Sequence, residues 1–541
     1  MHLSTLAKRV QFLLFLAFII FYFYGLGHLP LLGPDEPRYA QVAREMLLRN
    51  DFITPTLGGH TWFEKPPLLY WMQIAAFRIF GINEAAARLG PAVCGLVTVA
   101  AIWWLARTVE VTTVNRDWPN YSMTTAWTAA SCLGLIVFSR AASFDIVITM
   151  TATWALALFL SAQLTQHRQK QNWLLIGFYC LVGLSLLAKG LVGIVIPFGV
   201  VGTYYLLRRE WPTGRVWLSL LWGAPLAMLV SAVWYGPVIY KHGWLFIDQF
   251  FIQHHFARYL SNKYHHPQPL YFYPAILLML TIPWTPFLID SFLRVRTWSW
   301  RSQDSMSRLI TFSLAWILFP ILFFSFSSSK LPGYILPVLP AALLLISASV
   351  TRLQLDGRPV WPIRATGLLW LLMGLLGAMH ALRVVRLPLG CTLLAASPFI
   401  VAGLIALLWS RAPSWATLSI AASTIVGVTL ILNCGASIAV QRESTRDLLR
   451  LADERGYLSL RVLAIPGDDR SAEFYASGRV VYGSDGEVKS VYDVPEVVAE
   501  ARKRKEKILA FIDKQDLSSY LAKPGVEFIG DNGKRALVCL Y

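Results

Sequence analysis

Along residues 10–435 the chain alternates long apolar runs with short polar links, and the runs are long enough to cross a bilayer as helices. The first, Val10 to Leu26, follows Lys8 and Arg9, is rich in aromatics and ends without a small-x-small cleavage pattern. It therefore reads as a spanning helix rather than a secretory signal. Further runs fall at 86–107, 123–139, 144–163, 173–188, 190–207, 216–239, 271–293, 308–326, 332–350, 364–384, 389–410 and 415–435. That makes about thirteen spans. Residues 67–80 (PLLYWMQIAAFRIF) are too short to span and are expected at the surface. From 441 the pattern changes. A polar helix from Ser444 to Arg455 precedes short β-branched runs (RVLAIPG, RVVYG, KILAFID, VEFIG, RALVCLY), with a charged helix from Pro495 to Lys507 among them. Such text predicts a small α/β domain.

The expected fold class is thus a polytopic α-helical membrane protein with a small C-terminal α/β domain. A membrane domain covers 1–440, with outer loops at 28–85 (carrying amphipathic helices) and 240–270, and the α/β domain covers 441–541. Composition agrees: 56% of residues are hydrophobic and only 15% charged, against about a quarter charged in globular chains. The net charge of +17 follows the positive-inside pattern. Placing Lys8 and Arg9 in the cytoplasm also places Arg107, Arg168, Lys170, Arg208, Arg209, Arg215, Arg294, Arg352 and Arg411 there. The α/β domain then lies outside. No basic stretch is interleaved with stacking aromatics outside a membrane context, which excludes nucleic acid as a partner. The six cysteines form no CxxC pair and read as packing residues.

The polar residues that remain collect on the outer side. Residues 33–67 hold two charged clusters, Asp35, Glu36 and Arg38 at the start and Glu64 and Lys65 at the end. Gly33-Pro34 and Pro37 are expected to hold Asp35 and Glu36 on a turn. Arg38 to Arg49 reads as an amphipathic helix with Val42, Met46 and Leu47 on one face, suited to lying flat on the membrane. Asp145 opens the fourth span, Lys189 interrupts an apolar turn, and Lys330 and Tyr334 sit in SSSKLPGY. His254, His255 and Arg258 lie in the long loop (FFIQHHFARYL). Ionisable groups at membrane depth are costly unless paired or facing water, so Asp145 and Lys189 predict an aqueous cavity. Arg38, Lys65, Lys189, Arg258 and Lys330 suit a phosphate. Asp35 and Asp145 suit a general base or the stabilisation of positive charge. Glu64 with His254 or His255 offers ligands for Zn²⁺ or another divalent metal; no organic cofactor is expected. The competing readings are snorkelling for Lys189 and Lys330, a helix N-cap for Asp145, and headgroup contacts for the histidines.

GPDEPRY, WFEKPPLLYW, the Asp opening the fourth span and SKLPGYILPVLP together resemble the GT-C polyprenyl-phosphate-dependent glycosyltransferases. The branch they resemble most is that of the lipid A 4-amino-4-deoxy-L-arabinose transferases, which is similar to the protein O-mannosyltransferases. The resemblance covers nearly the whole chain. It implies an inverting transfer of aminoarabinose from undecaprenyl phosphate to lipid A at the periplasmic face of a bacterial inner membrane, a modification of lipopolysaccharide that gives polymyxin resistance. By resemblance, Asp35 is the catalytic carboxylate and Asp145 a second essential acid, with Glu36 beside them. Arg38, Tyr39, Lys65, Lys189 and Arg258 would line the donor-phosphate and acceptor pocket, and Tyr334 would lie beside the lipid carrier. Glu64 and His254 match metal positions, with His254 and His255 not distinguished by register. Membrane lipids are the surrounding partners and a monomer is expected. Two other readings stay open: a GT-C enzyme for another sugar or acceptor, and a sugar-lipid transporter. The absence of repeats and the clustering of charges at one face disfavour the transporter.

Overall fold

The computed structural model describes residues 5–113, 118–257, 268–410, 412–463, 470–483, 486, 488–489, 499 and 506–541. Contacts divide the chain into two compact units. One comprises Met1–Tyr24, Glu64–Leu69 and Pro91–Ile431; the other comprises Gly25–Phe63, Tyr70–Gly90 and Leu432–Tyr541. The first-loop residues 25–63 and 70–90 thus belong to the same unit as the C-terminal strands, a grouping between segments far apart in sequence.

The first unit is a bundle of apolar helices. Among the described residues, nine helices are long and apolar enough to cross a membrane, or ten if the bent pair Tyr121–Ala130 and Leu133–Ser139 is one span. Helices stand at all thirteen expected positions, but Val192–Arg208 is shorter, and the expected 271–293 span is split into Phe272–Leu280 and Thr285–Leu293. The protein is therefore a multi-pass membrane protein. Pro332–Asp356 is enclosed, with 94% of its apolar window buried, whereas only 11% of that of Trp361–Val385 is buried. Without water to satisfy stray backbone groups, the ends of such helices need local caps. Ser143 caps Phe144–Leu164, Asp304 caps Ser305–Ser325 through the Met306 and Ser307 amides, and Gly190 ends Arg168–Lys189 at a φ of 67°.

In the second unit four strands form one sheet in the order Arg461–Leu463, Ile508–Asp513, Arg535–Leu540, Val526–Asp531. The first pair is parallel and the others antiparallel. Leu509, Phe511, Leu537 and Cys539 pack on one face with Leu448 and Leu449; Ile508, Ala510, Ile512, Val538 and Leu540 pack on the other. Burial on both faces explains why ILAFI and ALVCL read as unbroken apolar runs. Among the described residues the RVVYG run makes isolated bridges at Val480 and Tyr482 rather than a strand of the sheet. The expected helix from Pro495 to Lys507 lies almost wholly outside the described residues.

Two first-loop expectations are corrected. Asp35 and Glu36 are not on a turn but form the first turn of the helix Asp35–Leu48. Pro37 is tolerated there because a first-turn amide has no helical partner to lose. Nor is the apolar face free for a membrane surface: Val42 and Met46 are fully buried. The helix packs against Ser471–Tyr475, and the Arg44 guanidinium donates to the Phe474 carbonyl at 2.5 Å while lying 4.2 Å from its ring.

Candidate functional site

In the bundle, two antiparallel neighbours bring opposite charges to one end. Asp145 is the second residue of Phe144–Leu164, and Lys189 is the last residue of Arg168–Lys189. Each charge complements its own helix dipole, the anion at an N-terminus and the cation at a C-terminus. Lys189 Nζ donates to Asp145 Oδ1. The capping reading of Asp145 gives way to Ser143, whose Oγ accepts from the Asp145 amide at 3.1 Å and donates to Asp145 Oδ2 at 3.2 Å. Capping is therefore done by a neighbour, and the carboxylate stays available. Lys189 does not snorkel; its ammonium lies 5.0 Å from the centre of the Tyr334 ring.

Tyr334 belongs to the 3₁₀ turn Pro332–Val338, and its predecessor Gly333 lies against the Asp145 carboxylate so closely that an added Cβ would overlap it. The Lys65 charge acts on the same carboxylate, while Lys65 itself pairs with Glu64 at 3.1 Å. The structure thus brings together Asp145, Lys189, Lys65 and Tyr334 from four separate stretches. The side chains of Asp145 and Lys189 are 22% and 14% exposed. Ser143 and Gly333 were not singled out in the sequence; their only signals were AASFD and KLPGY, where each adjoins a residue that was.

Lys330 is buried and donates to the Gln268 carbonyl at 2.8 Å. His254 lies in the π-helical stretch Ile247–Ala257. The His255 side chain and all of Arg258 lie outside the described residues. Among the described residues no group of three His, Cys, Asp or Glu converges on a metal position, and Glu64 already faces an ammonium.

The second unit holds the acidic pair. Asp35, with its side chain 52% exposed, accepts from Arg38 Nη2 at 2.8 Å. Arg38 also donates to the Pro34 carbonyl at 2.8 Å and lies 5.5 Å from the Trp62 ring, which fixes the guanidinium on three sides. Tyr39 is buried, with its ring edge-on to Tyr70 at 6.4 Å. Glu36 is buried in a two-pronged pair with Arg88, at 2.9 and 2.7 Å, and accepts the Leu32 amide at 3.0 Å. Arg88 gives its other protons to the carbonyls of Leu26, Leu29 and Pro30. The neighbouring acids Asp35 and Glu36 therefore differ: one is open to solvent, the other locks the chain that precedes the helix.

ArnT from Cupriavidus metallidurans bound to undecaprenyl phosphate superposes with a TM-score of 0.78 at 21% identity, covering 97% of each chain. The Archaeoglobus fulgidus oligosaccharyltransferase superposes with a TM-score of 0.52 at 12% identity, covering 95% of this chain and 71% of that one. The fold is that of the GT-C membrane glycosyltransferases. The dolichyl-phosphate-mannose-protein mannosyltransferase family profile matches residues 9–247. The undecaprenyl phosphate-alpha-4-amino-4-deoxy-L-arabinose arabinosyl transferase of Pseudomonas aeruginosa strain UCBPP-PA14 is 35% identical over 388 residues, covering 70% of this chain and 66% of that protein. The Edwardsiella ictaluri protein of the same name is 30% identical over 387 residues, with the same coverage. The matched stretch thus spans just under two thirds of these relatives. Over these stretches the chain is similar to arabinosyl and mannosyl transferases.

Proposed function

We propose that this chain transfers 4-amino-4-deoxy-L-arabinose, with inversion, from undecaprenyl phosphate to lipid A phosphate at the periplasmic face of the inner membrane, with its N-terminus in the cytoplasm. The name shared by the relatives and the undecaprenyl phosphate bound to the similar ArnT structure support this reading. The observation that carries it is the cluster of Asp145, Lys189, Lys65 and Tyr334 at one end of a membrane bundle. Its two ammonium groups suit a polyprenyl phosphate, meeting the ground-state charge and the charge that grows as the phosphate leaves the anomeric carbon. Asp145 keeps Lys189 oriented until the donor arrives.

Asp35, held by Arg38 and open to solvent, is assigned to the acceptor oxygen. A lipid A phosphate is already ionised, so positioning outweighs proton removal for it; the Arg38 cation beside Asp35 limits the repulsion between two anions. Asp35→Asn is expected to abolish transfer while leaving donor affinity within about tenfold of wild type; normal turnover by the variant removes Asp35 from this role. Mass spectrometry of lipid A from cells with and without the gene tests the substrates. Loss of an aminoarabinose adduct on deletion is the expected result. An unchanged lipid A together with a lost glycoprotein would instead favour protein as acceptor, the reaction named by the matching family profile.

A further inference from the structure

The helices that carry Asp145 and Lys189 at one end enclose a cavity of about 590 Å³ toward the other. Phe159 and Phe178, in its wall, lie 14 and 11 residues along their helices from Asp145 and Lys189, on the order of 20 Å at 1.5 Å per residue. This cavity is therefore separate from the charged cluster. Its walls are aromatic, built from Phe159, Phe178, Tyr179 and Phe198. The tyrosine hydroxyls of the wall are already engaged: Tyr179 with Ser219 at 2.8 Å and Tyr205 with Gln163 at 3.1 Å. The interior offers carbon and ring faces, at a volume typical of small-molecule sites.

Charge is found only at the mouth. The Glu210 carboxylate is held by the buried Arg208 guanidinium at 2.9 and 3.0 Å, so those two charges cancel locally. Arg209 is exposed and makes no ion pair among the described residues, which leaves the mouth with one uncompensated cation. Trp211 and Trp217 border the opening at 87% and 52% exposure. Exposed tryptophans beside a basic residue at the end of a spanning helix mark the headgroup level of a bilayer.

We propose that this cavity is a binding site for an acidic phospholipid of the surrounding membrane, with one acyl chain among the aromatic rings and the phosphate on Arg209. An apolar chain fits walls without free polar atoms, and a guanidinium at the mouth selects a net anionic headgroup over a zwitterionic one. The site is independent of the proposed transfer reaction.

The test uses the full-length protein, purified in detergent and incubated with phosphatidylglycerol and phosphatidylcholine in mixed micelles, then read by native mass spectrometry. Wild type is expected to retain one phosphatidylglycerol in preference to phosphatidylcholine. Arg209→Gln should lower that retention about tenfold, the effect of one lost charge-assisted contact. Gly202→Trp should abolish it, because a side chain added at this lining glycine meets open space and would fill the cavity. The exposed Arg209 can be changed without touching the core, so the test stands even if the tryptophan variant fails to fold. Equal retention by wild type and both variants overturns the proposal. So does equal retention of the two lipids, no retention by wild type, or selective retention of a polyprenyl phosphate added as competitor.

Discussion

Two acid–base pairs, one in each unit, are made of the same kinds of group and closed to different degrees. In the second unit Glu36 and Arg88 satisfy each other through two parallel bonds, and the remaining Arg88 donors are spent on three backbone carbonyls. Nothing in that pair is left to meet a ligand. In the bundle, Lys189 has one carboxylate and one ring face, and Asp145 and Lys189 keep part of their surface open. Buried charge is tolerated in both places for opposite reasons: complete satisfaction makes a lock, and incomplete satisfaction leaves room for a third, anionic party.

The widest split between the two is expected from Arg88→Ala. It strands a buried carboxylate and three carbonyls, and should destabilise the purified protein by about 3–5 kcal/mol. Thermal unfolding in detergent reads this, and a Tm near wild type would show that the pair is not a lock. Asp145→Asn is the converse. Transfer should fall by about 10²–10³-fold with only a small change in Tm; equal losses of stability for both variants would erase the distinction. A finer probe is Gly333→Ala, which pushes a methyl group into the Asp145 carboxylate without altering any charge. Displacement on the order of 1 Å should lower kcat by up to about 10²-fold, and an unchanged rate would show that the seating of the carboxylate on the 3₁₀ turn is irrelevant.

The smallest effect concerns Glu473, which lies in the second unit beside Arg470 at 3.1 Å. Burial pushes its carboxyl above the usual range, against the opposing pull of Arg470 and Arg38. A raised folded pKa means that the group's contribution is fully present below the unfolded value, about 4.3, and is lost as pH rises through the folded value. Glu473→Gln should therefore flatten the decline of stability between the unfolded and the raised folded value. An identical pH profile in the variant would refute a buried, reluctant carboxylate.

Much of this contrast was legible in the sequence, unevenly. Asp145 and Lys189 stand out because apolar text makes any ion conspicuous, and a span has only two ends at which to place it. Arg88 does not stand out, because it lies 52 residues from Glu36 in a helix-opening stretch where a cation looks ordinary. Asp35 and Glu36 look alike as neighbours in GPDEP; helix geometry points one to solvent and the other into the protein. The amphipathic pattern from Arg38 shows an apolar face but not what the helix packs against: Val42 and Met46 are buried, and the helix meets Ser471–Tyr475, more than four hundred residues away.

By itself the chain of residues determined the place of the apolar helices and the change to an α/β pattern after 441, and it made the charges within apolar text conspicuous, because lipid enforces long hydrophobic runs and penalises every exception. Only the tertiary structure decided which charge meets which: that Ser143 rather than Asp145 caps its helix, that Lys189 faces Asp145 beneath Tyr334, and that Glu36 is consumed by Arg88. Local sequence sets how much a residue costs to bury, but its partner is chosen by packing between distant segments, and short-range pattern carries no record of that choice.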